Sequence, residues 1–180
     1  MRLCKYVLPL AVLATSLSSP AVAGDRGWAR ASSIGRDALV VSALGIPAIT
    51  GDWNGALQGA GSMGAAGVLT YGLKKTFPEL RPDGSDRRSF PSGHTSVSFA
   101  AAGSLHQRYG WKVGLPATVV ATFVGLARVE ADKHHWYDVV VGAAIGEASG
   151  FLLTSKRDGD VRLIPWGDTH GAGLVMTGRF

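Results

Sequence analysis

Three short polar segments interrupt an otherwise apolar chain, and they constrain its fold more than any other feature. The first runs from Lys74 to Pro82, the second from Pro91 to His94, and the third from Arg128 to Asp138. Of the 180 residues, 46% are hydrophobic and 17% charged, which is typical of a single packed domain and excludes disordered and collagen-like chains. The fold must therefore bury the apolar stretches and leave the three polar segments accessible.

The apolar stretches predict an all-α helical bundle. The glycines of the second stretch, at positions 55, 59, 64 and 67, are expected to let neighbouring helices approach closely. Two alternating segments near the end, Val161–Trp166 and Leu174–Phe180, predict a short C-terminal β-hairpin. The predicted helices are Asp37–Thr50 with an interruption at Pro47, Asn54–Lys75, Gly93–Tyr109, Lys112–Arg128 and Tyr137–Thr154.

The N-terminal residues 1–23 have the pattern of a secretory signal peptide. Arg2 and Lys5 precede an apolar run, and Ala21-Val22-Ala23 forms a small-residue cleavage site before Gly24. We expect a single mature domain over residues 24–180, with its core at about 36–154 and a C-terminal extension at 155–180. The protein is then exported to the periplasm or cell envelope.

Charge and cysteine content exclude several classes of function. Removal of the predicted signal lowers the formal net charge from +5 to +3, and the basic residues are too scattered to predict nucleic-acid binding. The one cysteine, Cys4, lies inside the signal, so disulfides, thiolate catalysis and cysteine zinc sites are excluded from the mature chain.

The length of the apolar stretches favours buried helices over membrane spans. Val113–Ala127 is shorter than the roughly 20 residues that a bilayer requires, and Val139–Leu153 contains Glu147. Residues 53–73 are uncharged but rich in glycine. Membrane contact remains open at this point, because the Gly- and Ala-rich helices are also compatible with a lipid surface.

Each polar segment has an ordinary structural explanation when it is taken alone. Lys74 and Arg81 could complement a helix C-terminus, and Ser92 could be a helix N-cap. His134 and Asp138, four residues apart, could form a solvated helical pair.

Taken together, the three segments supply what a tetrahedral oxyanion needs. Arg offers bidentate donors to phosphate oxygens, Lys adds a point charge, and the amides that begin the Gly93 helix favour an anion. His134 can attack phosphorus while Asp138, one helical turn away, orients its ring. His94 can protonate the leaving oxygen.

These segments resemble the signature of the type 2 phosphatidic acid phosphatase and vanadium haloperoxidase superfamily. Its usual form is Lys-x6-Arg-Pro, then Pro-Ser-Gly-His, then Ser-Arg-x5-His-x3-Asp. The chain departs from that form only at Ala127, where Ser is usual. The matching residues are Lys74, Arg81, Pro82, Pro91, Ser92, Gly93, His94, Arg128, His134 and Asp138.

The resemblance implies a helical bundle and a phosphohistidine mechanism without a metal ion or cofactor. It implies that His134 is the nucleophile, Asp138 its orienting partner and His94 the general acid. The residues implied to bind phosphate are Lys74, Arg81, Ser92, Gly93 and Arg128.

Several neighbouring residues lie outside the signature. We expect His135 to be structural or at the rim of the site. Trp136 and Tyr137 could line the pocket or pack in the core, and we favour the core. Arg87 and Arg88 lie in the loop before the second segment, either as solvated charges or in contact with a second phosphate or a lipid headgroup.

The expected function is an exported phosphatase that hydrolyses a phosphomonoester or pyrophosphate, with a phosphorylated lipid as its substrate. A soluble, non-specific acid phosphatase acting on small phosphoesters is the near alternative. A vanadium haloperoxidase, with His134 bound to vanadate, is more remote because those enzymes are generally larger. A non-catalytic envelope protein is also remote, because all ten signature residues are present.

Overall fold

A computed structural model describes residues 24–157, 162–168 and 171–177. The predicted signal peptide, residues 1–23, lies outside the described residues. The elements in chain order are α1 (Asp25–Ile49), α2 (Trp53–Thr76), α3 (Gly93–Tyr109), α4 (Trp111–Glu130), α5 (Trp136–Leu153), β1 (Arg162–Asp168) and β2 (Gly171–Thr177).

The helical bundle confirms the predicted fold class, and α1 differs most from its predicted bounds. It begins at Asp25 rather than Asp37. The sequence pattern did not predict this first half, because its buried residue is the small Ser32 and it has no stripe of large apolar residues. Pro47 does not interrupt the helix. It lies in the last turn, where its missing N–H removes one hydrogen bond to the preceding turn while the helix continues to Ile49.

Helix α3 is the centre of the bundle and contacts all four other helices, α5 most extensively. Its buried side chains are mostly Ala and Ser, so its neighbours can lie close to it. The surrounding helices direct large apolar side chains outward instead. Among those exposed are Val41, Leu57, Val68, Trp111, Leu115, Val119, Leu126, Val140 and Leu152.

Three of these outer helices, α1, α4 and α5, are long and apolar enough to cross a membrane, and most of each candidate span is not buried inside the bundle. The expectation that the apolar helices are buried is therefore wrong for their outer faces. The sequence analysis measured only the uncharged stretches, whereas the helices α4 and α5 extend past those stretches to lengths of 20 and 18 residues. The fold thus combines a small-residue interior with an apolar exterior, which indicates membrane association.

A row of glycines on α5 lies directly against the α3 backbone. A Cβ atom at Gly142 would lie 2.7 Å from the Ser92 carbonyl oxygen, and one at Gly146 would lie 2.2 Å from the Ser96 carbonyl oxygen. Gly150 continues the same face one turn later, where a Cβ would lie 2.8 Å from the Ser104 nitrogen. Only glycine permits this backbone approach.

The glycines singled out in α2 have a smaller part in packing than the sequence suggests. Gly59 does lie close to α1, since a Cβ there would be 3.1 Å from the Ala43 carbonyl oxygen. Gly64 and Gly67 face open space, with nothing within 4 Å of an added Cβ. The predicted close approach therefore holds for one face of α2 and is wrong for the other.

An ion pair between Asp52 and Arg108 fastens the end of the bundle where α1 ends. Asp52 accepts hydrogen bonds from Arg108 Nη2 at 2.5 Å and from the Tyr109 hydroxyl at 2.9 Å. The hydrogen bond from Arg108 lowers the pKa of Asp52 to about 2. Arg108 also donates to the carbonyl oxygens of Ser155 and Lys156. One guanidinium thus joins the α1–α2 turn, the end of α3 and the chain after α5.

The C-terminal strands β1 and β2 pair antiparallel, with Arg162 opposite Thr177 and Asp168 opposite Gly171. The hairpin agrees with the alternating sequence pattern. Strand β1 begins one residue after Val161 and ends two residues after Trp166, and β2 begins three residues before Leu174.

The glycine row predicts a position-specific effect of an added methyl group. We expect Gly146→Ala to lower the free energy of unfolding by about 1–3 kcal/mol or more, because the methyl would overlap the α3 backbone. Gly64→Ala is the matched control, and it should leave stability unchanged or raise it by up to about 1 kcal/mol through helix propensity. Thermal unfolding in detergent measures both; equal melting temperatures would contradict the close contact.

Candidate active site

The three polar segments meet at one end of the bundle. The loop between α2 and α3 and the loop between α4 and α5 contact each other through the Asp83 amide, which donates to the Asp132 carbonyl oxygen at 3.1 Å. Asp83 also pairs with Lys133, and this hydrogen bond holds the pKa of the Asp83 carboxyl well below its usual range. The Ser92 amide donates to the Asp138 carbonyl oxygen at 3.0 Å, which joins the start of α3 to α5.

His134 and Asp138 form a buried pair at the centre of this end. His134 Nδ1 lies 3.5 Å from Asp138 Oδ2, and the two side chains are 3% and 0% exposed. Neither His134 Nδ1 nor Asp138 Oδ1 has a hydrogen-bond partner among the described residues. Because the carboxylate faces Nδ1, that nitrogen is the natural place for the ring proton, which leaves the lone pair on Nε2.

The charge state of His134 suits a nucleophile. Burial lowers its pKa below the ordinary value, and the Arg128, Lys74 and Arg81 cations act in the same direction, against the neighbouring Asp138 carboxylate, which raises it. The imidazole is therefore neutral across the neutral pH range. A neutral ring with a free nitrogen lone pair can attack an electrophilic phosphorus.

Ser89 is a contributor that the sequence analysis missed. Its hydroxyl donates to Asp138 Oδ2 at 2.5 Å, and its side chain is fully buried. The His135 amide donates to the same oxygen at 2.9 Å. These two donors hold the carboxylate in its ionised, His-facing orientation. In the sequence, Ser89 is a single serine two residues before Pro91, and this signal is too weak to identify its role.

His94 lies at the second position of α3 and faces α1. Its Nε2 is 3.1 Å from Arg36 Nη1 and 3.2 Å from the Ser33 hydroxyl oxygen. Burial lowers the pKa of His94 to about 3, and Arg128 and Arg36 contribute to the shift. Sequence reasoning missed both α1 residues, because neither belongs to a recognisable motif.

Arg128 places a guanidinium deep in the site with few partners. The residue is buried, its Nε has no hydrogen-bond partner in the part of the chain that the structure describes, and Nη1 is 3.5 Å from the Ser32 hydroxyl oxygen. An uncompensated buried cation is costly unless an anion joins it. The arrangement therefore suits an oxyanion ligand.

Lys74 and Arg81 come from the first polar segment. Lys74 Nζ donates to the carbonyl oxygens of Arg88 and Ser89 at 2.6 and 3.1 Å. Burial and the neighbouring Arg81 lower its pKa to about 8. Arg81 Nε donates to Asp86 at 2.7 Å, so Arg81, near the end of the first polar segment, is held by its own loop. Both cations act on His134, which places them near the same centre.

Ser92 and Gly93 begin α3 at the floor of this site. The buried Ser92 hydroxyl accepts from Thr95 at 2.9 Å rather than capping the helix. A Cβ at Gly93 would meet only Thr70 at 3.7 Å and Lys74 at 3.9 Å, which are ordinary contacts. Protein packing alone therefore does not require glycine here. Free space beside a lysine at a helix N-terminus can accommodate an anion.

The remaining predicted residues lie at the rim or outside it. Arg87 and Arg88 are exposed, and only the backbone of Arg88 reaches Lys74. His135 is the N-cap of α5, and its ring stacks on Tyr137 at 5.0 Å, in accordance with a structural place. Trp136 is 69% exposed, so its predicted core position is wrong: it begins α5 on the outward side.

Glu79, His135 and Asp138 bring three potential metal-ligand atoms within 4.8 Å of one another, a grouping that the sequence analysis did not foresee. Their atoms are engaged by protein donors. Glu79 accepts from the Tyr137 hydroxyl, and Asp138 Oδ2 accepts from Ser89. We therefore assign Glu79 and His135 to the support of Asp138 and place no metal ion there.

Comparison with known proteins agrees with this geometry. The profile of the PAP2 superfamily matches residues 55–161, more than half of the chain. The chain belongs to the PAP2 superfamily. It is 35% identical over 107 residues to a lipid A 4'-phosphatase from Helicobacter pylori, covering 53% of this chain and 54% of that protein. It is 38% identical over 93 residues to a lipid A 1-phosphatase from Porphyromonas gingivalis, covering 50% of this chain and 21% of that protein.

Two solved PAP2-type structures share the fold. The crystal structure of Aquifex aeolicus LpxE superimposes with a TM-score of 0.63 at 24% identity, covering 76% of this chain and 87% of that one. A PAP2-type phosphatidylglycerolphosphate phosphatase from Bacillus subtilis gives a TM-score of 0.58 at 24% identity, covering 76% and 77%. The chain spans about half the length of the first curated relative and a fifth of the second.

The Arg128 guanidinium, whose Nε has no hydrogen-bond partner among the described residues, predicts binding of a tetrahedral oxyanion. We expect Arg128→Gln to weaken the affinity for orthovanadate about 10- to 100-fold, the range for loss of a hydrogen bond to a charged group. Isothermal titration calorimetry on the folded protein measures this. Arg157→Gln, an exposed residue at the opposite end, is the matched control and should bind as the wild type does. Equal affinity of both variants would remove Arg128 from the anion site.

Proposed function

We propose that this protein is a phosphatase that hydrolyses a phosphomonoester or pyrophosphate on a lipid through a phosphohistidine intermediate. The observation that carries the proposal is the buried His134–Asp138 pair, which lies in a group of cations that includes the buried Arg128. The single catalytic domain comprises residues 24–180, with its core at about 36–154.

In the first step, His134 Nε2 attacks the phosphorus atom. The P–N bond forms while the bond from phosphorus to the leaving oxygen breaks, and His94 donates a proton to that oxygen. Asp138 accepts the Nδ1 hydrogen bond and stabilises the positive charge that develops on the His134 ring. Lys74, Arg81 and Arg128 stabilise the equatorial oxygens, together with the Gly93 amide and the Ser92 hydroxyl.

In the second step, a water molecule attacks the phosphorus of the phosphohistidine. His94, now neutral, accepts a proton from this water, the P–N bond breaks, and inorganic phosphate leaves. Both side chains return to their starting states. This chemistry uses fixed cations where other phosphatases use metal ions.

The outer surface supports a lipid substrate. Apolar side chains cover the exposed faces of α1, α2, α4 and α5, and three of these helices have the length and composition of membrane spans. Trp136 is exposed two residues after His134, and its amphipathic ring is of the kind enriched at membrane–water interfaces. A substrate anchored in the bilayer would therefore present its phosphate at the site. The relatives named above are lipid phosphatases, which favours the same substrate class.

Three variants test the mechanism on one aryl phosphate and one phosphatidate dispersion. His134→Ala should abolish both turnover and the acid-labile phosphoenzyme, because no other group can form the P–N bond. His94→Ala should retain more activity on the aryl phosphate, whose leaving group needs less protonation. Asp138→Asn should reduce turnover strongly with little change in binding, because the amide favours the wrong ring tautomer.

The same assay has outcomes that contradict the proposal. Phosphoenzyme in His134→Ala, or loss of wild-type activity on treatment with EDTA, would overturn the mechanism. Hydrolysis of glycerol 3-phosphate as efficient as that of phosphatidate would favour a soluble acid phosphatase over a lipid phosphatase. Lys112→Gln, far from the site, serves as the control for detergent effects.

We also propose that residues 1–23 direct export and that the mature chain begins at Gly24. The charged start, the apolar run and the Ala-Val-Ala site support this. Sequencing of the protein from the envelope fraction of an expressing bacterium should give Gly24 as the first residue. An intact Met1 in that fraction would contradict export by cleavage.

A further inference from the structure

Helix α1 contributes side chains to the site, although it precedes the part of the chain that the family profile matches. The profile begins at residue 55, whereas Ser32, Ser33 and Arg36 lie at the level of His94 and Arg128. Gly35 makes this possible, because a Cβ there would lie 2.9 Å from Val124 on α4. The first helix is thus packed tightly enough to place Arg36 reproducibly.

The contact between Arg36 and His94 fixes the protonation state of one nitrogen. Arg36 Nη1 lies 3.1 Å from His94 Nε2. A guanidinium can only donate hydrogen bonds, so Nε2 must be the acceptor and carries a lone pair rather than a proton. His94 at the start of α3 is therefore not ready to act as an acid through Nε2 while this contact exists.

Arg36 is also held on its other side. Its Nε and Nη2 donate to Asp37 Oδ1 at 2.9 and 2.7 Å, which leaves Nη1 as the group directed at the site. The Arg36 side chain is 31% exposed, so the guanidinium has room to move. A phosphate oxygen is a stronger acceptor for a guanidinium than a neutral imidazole nitrogen, because both partners are charged.

We propose that Arg36 transfers its Nη1 hydrogen bond from His94 Nε2 to a phosphate oxygen when substrate binds, and that this transfer loads the acid proton onto His94. The inference rests on the proposed function, since it assigns the timing of protonation within the same site. In the empty site, burial, Arg128 and Arg36 together keep His94 neutral, and Arg36 occupies Nε2. In the complex Nε2 is vacated and takes a proton from solvent, and it later gives that proton to the leaving oxygen.

The charges around His94 agree with a ligand-dependent proton. Arg36 and Asp37 face it from α1, Arg128 from α4 and His134 from the α4–α5 loop. Lys74 on α2 lies beside Gly93 at the same helix start. The surroundings are predominantly cationic when the site is empty, which disfavours an imidazolium. A bound phosphate dianion brings negative charge into this group and reverses that preference.

The test follows the Nε2 proton of His94 directly, with orthovanadate as the probe and ¹⁵N-histidine NMR of the full-length protein in detergent. His94→Gln identifies the resonance by its loss. In the wild type at pH 7, we expect Nε2 to be unprotonated without vanadate and protonated with it. Arg36→Gln should raise the pKa of His94 in the empty protein by about one unit, since a cation is removed.

The affinity for vanadate supplies the second readout. Arg36→Gln should bind vanadate about 10- to 100-fold more weakly. Arg36→Lys should keep the low His94 pKa and bind with intermediate affinity, because it retains the charge without the planar donors. Arg30→Gln, an exposed residue on the same helix, is the matched control and should behave as the wild type in both measurements.

The outcomes separate this inference from the proposed function. A wild type in which Nε2 is already protonated without vanadate, or an Arg36→Gln variant with unchanged affinity and His94 pKa, would overturn the role of Arg36 while leaving the phosphatase intact. Absence of vanadate binding and of turnover in the wild type would instead overturn the phosphatase itself.

Discussion

The backbone contact between α3 and α5 is the constraint on which the site depends. Gly142 allows α5 to approach the Ser92 carbonyl oxygen, and the Ser92 amide in turn donates to the Asp138 carbonyl oxygen. This distance sets the position of the His134–Asp138 pair relative to the start of α3, where Ser92, Gly93 and His94 lie. A larger side chain anywhere on the glycine row would move the two halves of the site apart, because the interior is close-packed and cannot absorb the added volume.

Charge is distributed unevenly between the two ends of the bundle. At one end, Arg108 is satisfied by Asp52 and by backbone carbonyl oxygens, and the ion pair acts as a structural fastening. At the other end, Arg128 is buried with an Nε that has no partner in the described part of the chain, and burial favours the neutral form of the nearby His134. The first arrangement stabilises the fold, whereas the second carries an unfavourable desolvation energy that an oxyanion would offset.

Sequence reasoning grouped the candidate site residues whose positions depend on short spacings. His134 and Asp138 are one helical turn apart, and Ser92, Gly93 and His94 are consecutive, so local geometry already groups them. Ser89, Arg36 and Asp52 were missed because their roles depend on which helices pack together. The start of α1 was missed for a related reason: its buried face consists of small polar residues rather than a stripe of large apolar ones. The glycines of α5 show no feature that distinguishes them from the exposed glycines of α2 until the helices are placed.

The order of the elements along the chain sets when the site can exist. Arg36 comes from the first helix and Asp138 from the last, and both must contact the central α3. During synthesis the first four helices can associate while His134 and Asp138 are still unmade or unpacked. The chain therefore gains a complete candidate site only when α5 packs against α3. Under the proposed function, a nascent or truncated protein would therefore have no phosphatase activity until α5 has packed.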